Sequence, residues 1–87
     1  MNYLKMYETP KIDVHGMTAE QACSLVRVNL PAFYQRGYPE VFIVHGNGQG
    51  ILKKNIRAML RSFSFIKSLR RGKQEEGGDG VTVAIFR

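Results

Sequence analysis

The sequence predicts an α/β fold of the two-layer α+β sandwich kind, a mixed four-stranded sheet with two helices in the order β-α-β-α-β-β. Three observations carry that prediction. Two segments repeat apolar residues at steps of three and four, as amphipathic helices do; four short segments alternate or run apolar residues together, as strands do. The two kinds take turns along the chain, which gives two consecutive β-α-β crossovers. The 87 residues provide for one such domain and no second.

Met1–Pro10 shows no clean period and reads as an arm or linker ahead of a domain at 11–87. Lys11–His15 alternates, with Ile12 and Val14 on one side and Asp13 and His15 on the other, so it predicts the first strand. Gly16 breaks it. Thr18 followed three residues on by Gln21 forms a capping box, and a helix should begin at Ala19. Its buried stripe is Ala22, Val26, Leu30 and Phe33, with Leu25 beside it. Pro31 lies inside this pattern and costs a straight helix about 3 kcal/mol, which predicts a kink or break near Asn29–Leu30 before a stop at Gly37.

Pro39–His45 predicts a second strand, and its run Val41–Val44 suggests cover on both faces. The glycine loop Gly46–Gly50 leads into a second helix from about Ile51. The apolar stripe there is Leu52, Ile56, Met59, Leu60 and Phe63, and Lys53, Lys54, Arg57 and Arg61 face the other way. Phe65–Arg71 predicts a third strand. Gly72–Gly80, with glycine at four of nine positions, reads as a mobile loop, and Val81–Phe86 predicts a fourth strand antiparallel to the third.

Composition bounds the function. Apolar residues are 44% and charged residues 23%, which is globular rather than disordered. The longest apolar runs are four residues, far short of the roughly 20 of a membrane span or the about 7–15 of a signal peptide. One cysteine, Cys23, excludes an internal disulfide and a cysteine-based zinc site, and a cytoplasmic setting is expected. Thirteen Lys/Arg against seven Asp/Glu give +6, and Ile51–Lys73 holds eight basic residues with no acidic one. Such a segment attracts polyanions, nucleic acid foremost; the bland alternative is a solvated face that maintains solubility.

Three features could carry chemistry. Asp13 and His15 share a strand face, and His45 ends the next strand, so a parallel crossover would gather all three on one exposed rim. A carboxylate and two imidazoles can act as base, acid or metal ligands near neutral pH; strand-end spacers are the alternative. The loop Gly46-Asn47-Gly48-Gln49-Gly50 ahead of a helix exposes backbone amides suited to phosphate, with Lys53 and Lys54 one turn inside; a tight turn is the alternative. It matches neither the dinucleotide fingerprint nor a Walker loop. Finally, Glu75, Glu76 and Asp79 cluster in the last loop as an acidic turn, or as a gate or metal contact.

These motifs resemble a known family. Ile12-Asp13-Val14-His15-Gly16 resembles the L-D-L-H-G motif of Smr (small MutS-related) domains, and His45–Gly50 matches their H-G-x-G-x-G motif. Glu76–Val83 is similar to their E-G-G-x-G-V-T-V stretch, so the resemblance runs from about Lys11 to Phe86. It departs at Ile12 and Val14, which replace leucines, and at Pro31. His15 fits the D-x-H form, whereas MutS2-type members often carry arginine there, so the parent context stays open.

The resemblance implies a fold similar to the C-terminal domain of bacterial translation initiation factor three, and an endonuclease that nicks or cleaves DNA or RNA. On that basis Asp13 and His15 would activate the nucleophile, alone or through a divalent metal (Mg or Mn), and His45 would be the acid. Gly46, Asn47, Gly48, Gln49, Gly50 and Lys53 would hold the phosphate, with Lys54, Arg57, Arg61 and Arg70 along the backbone of the nucleic acid. The alternative is a non-catalytic module that docks on nucleic acid or the ribosome within a larger MutS2-type protein.

Overall fold

A computed structural model describes residues 9–87. The arm expected at 1–10 therefore lies almost wholly outside the described residues. Six main elements follow: β1 (Lys11–Asp13), α1 (Ala19–Gln35), β2 (Glu40–Val44), α2 (Ile51–Leu60), β3 (Ile66–Arg71) and β4 (Val81–Phe86). The strands form one sheet in the order β1-β2-β4-β3. β1 pairs parallel with β2, and β4 runs antiparallel to both β2 and β3. The mixed sheet and two helices are those the sequence predicts. The place of β4, inserted between β2 and β3, is visible only in the structure.

Both helices lie on one face of the sheet. Ala22, Val26 and Leu30 of α1 and Ile56 and Leu60 of α2 pack with Ile12, Val41, Ile43, Ile66, Ala84 and Phe86 in one core. Cys23 packs against this core. The strand covered on both faces is β4, not β2. Phe42 and Val44 stay half-exposed, whereas Val81, Thr82, Val83 and Ala84 are all buried. Both strands are flanked by neighbours in the sheet, so the difference lies in what covers their faces: the segment after β3 folds back over Val81, and Arg57 of α2 reaches Thr82.

That segment corrects a second expectation. Gly72–Gly80, expected as a loop, contains two short 3-10 turns, Gln74–Glu76 and Gly78–Gly80. Glu76 caps the first turn by accepting from the Lys73 amide at 2.7 Å, and the Gly78 amide donates to the Lys73 carbonyl at 2.9 Å. A third correction concerns the break expected at Pro31. Helix α1 continues unbroken through it to Gln35, because Leu30 is fully buried and Phe33 packs on the core just beyond. Anchors on both sides hold the helical turn that the proline weakens. The helix stops at Gly37 as expected, where the chain turns with φ 87°.

Candidate functional site

The rim at the C-terminal ends of β1 and β2 gathers most of the sequence-predicted residues. The Val14 amide donates to the Val44 carbonyl at 2.9 Å and extends the parallel pairing one step past β1. The chain then leaves the sheet at Gly16 (φ 79°) and enters α1 through the predicted capping box, whose two bonds, Gln21 N to Thr18 Oγ1 and Thr18 N to Gln21 Oε1, are each 3.1 Å. Asp13 and His15 are both exposed there. Asp13 Oδ1 lies 2.6 Å from His15 Nδ1 and also accepts from the His15 amide at 3.1 Å. The side-chain bond and then the amide bond stabilise the carboxylate and hold Asp13 below its ordinary pKa. Asp13 therefore stays ionised and fixes the His15 ring by its Nδ1 edge.

Across a cleft of about 540 Å³ stands the glycine loop. His15, Met17 and Thr18 line one wall; Gly46, Gly48, Gly50 and Lys53 line the other. The two helix N-termini thus open into one space. Gly46 approaches the His15 side chain closely, so that a Cβ there would stand 3.5 Å from the His15 Cβ. The amides of His45 and Gly46 both donate to the Gly80 carbonyl at 3.0 Å. Beyond them, the amides of Asn47 through Lys53 find no acceptor among the described residues. Gly50 is a left-handed N-cap (φ 85°) without a side chain to cap the helix, which leaves the first turn of α2 open to an anion. A second cleft of about 420 Å³ flanks the loop on its other side, toward Asn47, Gln49 and Asp79.

His45 departs from the expected arrangement. It is only 4% exposed, below the rim rather than on it. Its Nδ1 faces the Gly46 carbonyl at 3.0 Å and its Nε2 faces Thr82 Oγ1 at 2.9 Å. Burial pushes its pKa below the ordinary value, and the positive charges of Lys53 and Arg57 push the same way against the Gly46 bond. Both ring nitrogens are occupied inside the protein, so a solvent-facing acid is not what this position offers.

The basic residues divide. Lys54 on α2 and Arg61 at its C-cap are exposed, and Lys53 is half-buried at the cleft, 4.0 Å from Asp79. Arg57, expected on the same outer stripe, instead turns its Nε into Thr82 Oγ1 at 3.0 Å. Arg70 is held by Glu76 through two bonds and lies 3.9 Å from Glu40, so its charge is matched within the protein.

Thr82 is the residue that sequence reasoning missed. Its signal was present: a hydroxyl at a core-facing position of an otherwise apolar strand must find a polar partner. As metal donors, Asp13 and His15 make two. No group of three or more His, Cys, Asp or Glu that could hold an ion occurs among the described residues. No helix of those residues is long and apolar enough to cross a membrane.

Fold and site together define a small two-layer α+β domain whose polar groups converge on one sheet rim. The Smr domain profile matches residues 12–87, and the chain belongs to the Smr domain family. It is 45% identical over 78 residues to the Endonuclease MutS2 of Clostridium perfringens, and 47% identical over 76 residues to that of Clostridium botulinum. These alignments cover 90% and 87% of this chain but 10% of each relative, so the chain spans about a tenth of their length. The crystal structure of the Smr domain of Thermus thermophilus MutS2 superposes with a TM-score of 0.85 at 32% identity, covering 91% of this chain and 99% of that one. YdaL, a stand-alone small MutS-related protein from Escherichia coli, shares the fold at TM-score 0.85 and 18% identity, over 98% of this chain and 72% of its own.

Proposed function

We propose that this domain binds nucleic acid through its phosphates and cleaves the phosphodiester bond. The observation that carries the reading is one juxtaposition: seven consecutive amides without an acceptor among the described residues, Asn47 to Lys53, across a cleft from the Asp13–His15 pair. Unpaired amides at a helix N-terminus suit a phosphate, and a carboxylate-oriented imidazole suits proton abstraction. The relatives named as endonucleases support the same reading.

In this mechanism the ionised Asp13 accepts a hydrogen bond from His15 Nδ1–H, which keeps its proton and leaves Nε2 free as the base. Nε2 takes a proton from water, or from the adjacent 2′-hydroxyl when the substrate is RNA. The loop amides and Lys53 stabilise the extra charge on the phosphoryl oxygens as the attack proceeds. The leaving oxygen takes its proton from water in the open cleft, because His45 is committed to internal bonds.

The deciding experiment incubates purified protein with supercoiled DNA and with structured RNA, each with magnesium, with manganese or with EDTA. Nicked circles or discrete RNA fragments are the expected result. Salt-sensitive binding with no cleavage under any condition would overturn the nuclease reading in favour of a docking module.

A further inference from the structure

We propose that Thr82 and Arg57 are positioning residues that lock the buried His45 ring with its proton on Nδ1, and so keep the glycine-loop amides turned outward. The lock follows from the geometry alone; its functional consequence rests on the phosphate-binding reading above.

The proton count permits one arrangement. The Arg57 Nε–H can only donate, so Thr82 Oγ1, 3.0 Å away, accepts from it. The Gly46 carbonyl beside Nδ1 can only accept, so the neutral ring carries its one proton on Nδ1, and the single hydroxyl proton of Thr82 goes to His45 Nε2 at 2.9 Å. Nδ1 donates to the Gly46 carbonyl at 3.0 Å. A second proton on the ring would turn Nε2 into a donor and strand the Thr82 hydroxyl proton, at a residue with no exposed surface. It would also place a third positive charge beside Lys53 and Arg57, which face the ring from α2.

The lock reaches the loop through one peptide plane. Across a trans peptide, a carbonyl and the next N–H point in opposite directions, and every described peptide is trans. Holding the Gly46 carbonyl against the ring therefore turns the Asn47 N–H away from it. That amide is the first of the unpaired run, immediately after the two that donate to the Gly80 carbonyl. Arg57 thus serves the cradle from behind, whereas Lys54 and Arg61 meet solvent.

The test combines ring NMR of the free protein with oligonucleotide binding across a salt series. In the wild type, long-range ¹H–¹⁵N spectra should show His45 neutral with Nδ1 protonated at pH 7. Thr82→Val, which keeps the shape and removes the hydroxyl, should abolish that single tautomer and weaken hairpin-RNA binding about tenfold, the scale of one lost buried hydrogen bond to a charged group. The slope of log K against log salt should not change, since no phosphate-facing charge is removed. Thr82→Ser should restore both. Arg57→Gln should weaken binding with the slope again unchanged, and this variant decides the matter if Thr82→Val fails to fold. Nδ1 protonation retained in folded Thr82→Val, or a slope flattened by about one unit in Arg57→Gln, would overturn the proposal. A wild type that shows the tautomer lock but binds no nucleic acid would overturn the phosphate reading and leave the lock standing.

Discussion

Arg70 and Glu76 form a two-pronged ion pair, Nη1 to Oε1 at 2.8 Å and Nη2 to Oε2 at 3.1 Å, which ties the acidic segment back onto β3. The Arg70 bonds, and then the Lys73 amide, pull the Glu76 pKa down from 4.5 to about 2. A lowered carboxylate pKa contributes stability that is fully present above pH 4.5 and is lost as the pH falls toward 2. Glu76→Gln should therefore cost about 1–2 kcal/mol at neutral pH, with the gap to wild type closing between pH 4.5 and 2 in denaturant titrations. Arg70→Gln should lower stability while leaving the salt dependence of nucleic-acid binding unchanged, because its charge is already matched.

Gly77 adopts φ 117°, and a Cβ there would stand 2.5 Å from Val81 Cγ2. Neither the backbone nor the buried valine can give way cheaply. Gly77→Ala should cost about 1–3 kcal/mol. Calorimetry would read this as a drop in Tm of about 4–8 °C for each kcal/mol in a domain of this size.

Asp13→Asn and His15→Ala remove the proposed base and its orienter from an exposed rim. Cleavage should fall at least about a hundredfold, the usual scale of a lost general base. Binding should stay within a few-fold of wild type and Tm nearly unchanged. Gel assays and filter binding on the same preparations check this; wild-type cleavage by either variant would dismiss the pair.

Gly48 separates a phosphate cradle from a simple turn. Its φ is not positive, and a Cβ added there meets nothing within 4 Å, so a side chain at this point strains neither the backbone nor a neighbour. Gly48 lines both clefts beside the loop. Gly48→Val should therefore stay within about 1 kcal/mol of wild-type stability yet lose affinity for nucleic acid. A variant that binds like wild type would refute close phosphate approach at this glycine.

Lys54 and the C-cap residue Arg61 are the exposed cations at α2. Changing both to glutamine should weaken binding to all sequences alike and flatten the log K against log salt slope by roughly 1–2 units. The core residues Ile56 and Leu60 are untouched, so the fold should persist. An unchanged slope would make this face a solvated surface.

The sequence by itself determined the features that depend on neighbours a few residues apart. The capping box of Thr18 and Gln21, the α2 stripe and the placing of Asp13 beside His15 are all local, and the structure has each of them. Tertiary structure decided what depends on distant partners. His45 and Thr82 are 37 residues apart and Arg57 and Thr82 are 25, so no spacing rule could show that β4 would slide between β2 and β3 and bring that hydroxyl under the ring. That insertion buries His45, turns Arg57 inward and, through the segment leading into β4, matches Arg70 with Glu76. Periodicity names the face a residue occupies; only strand order and register decide what the face meets.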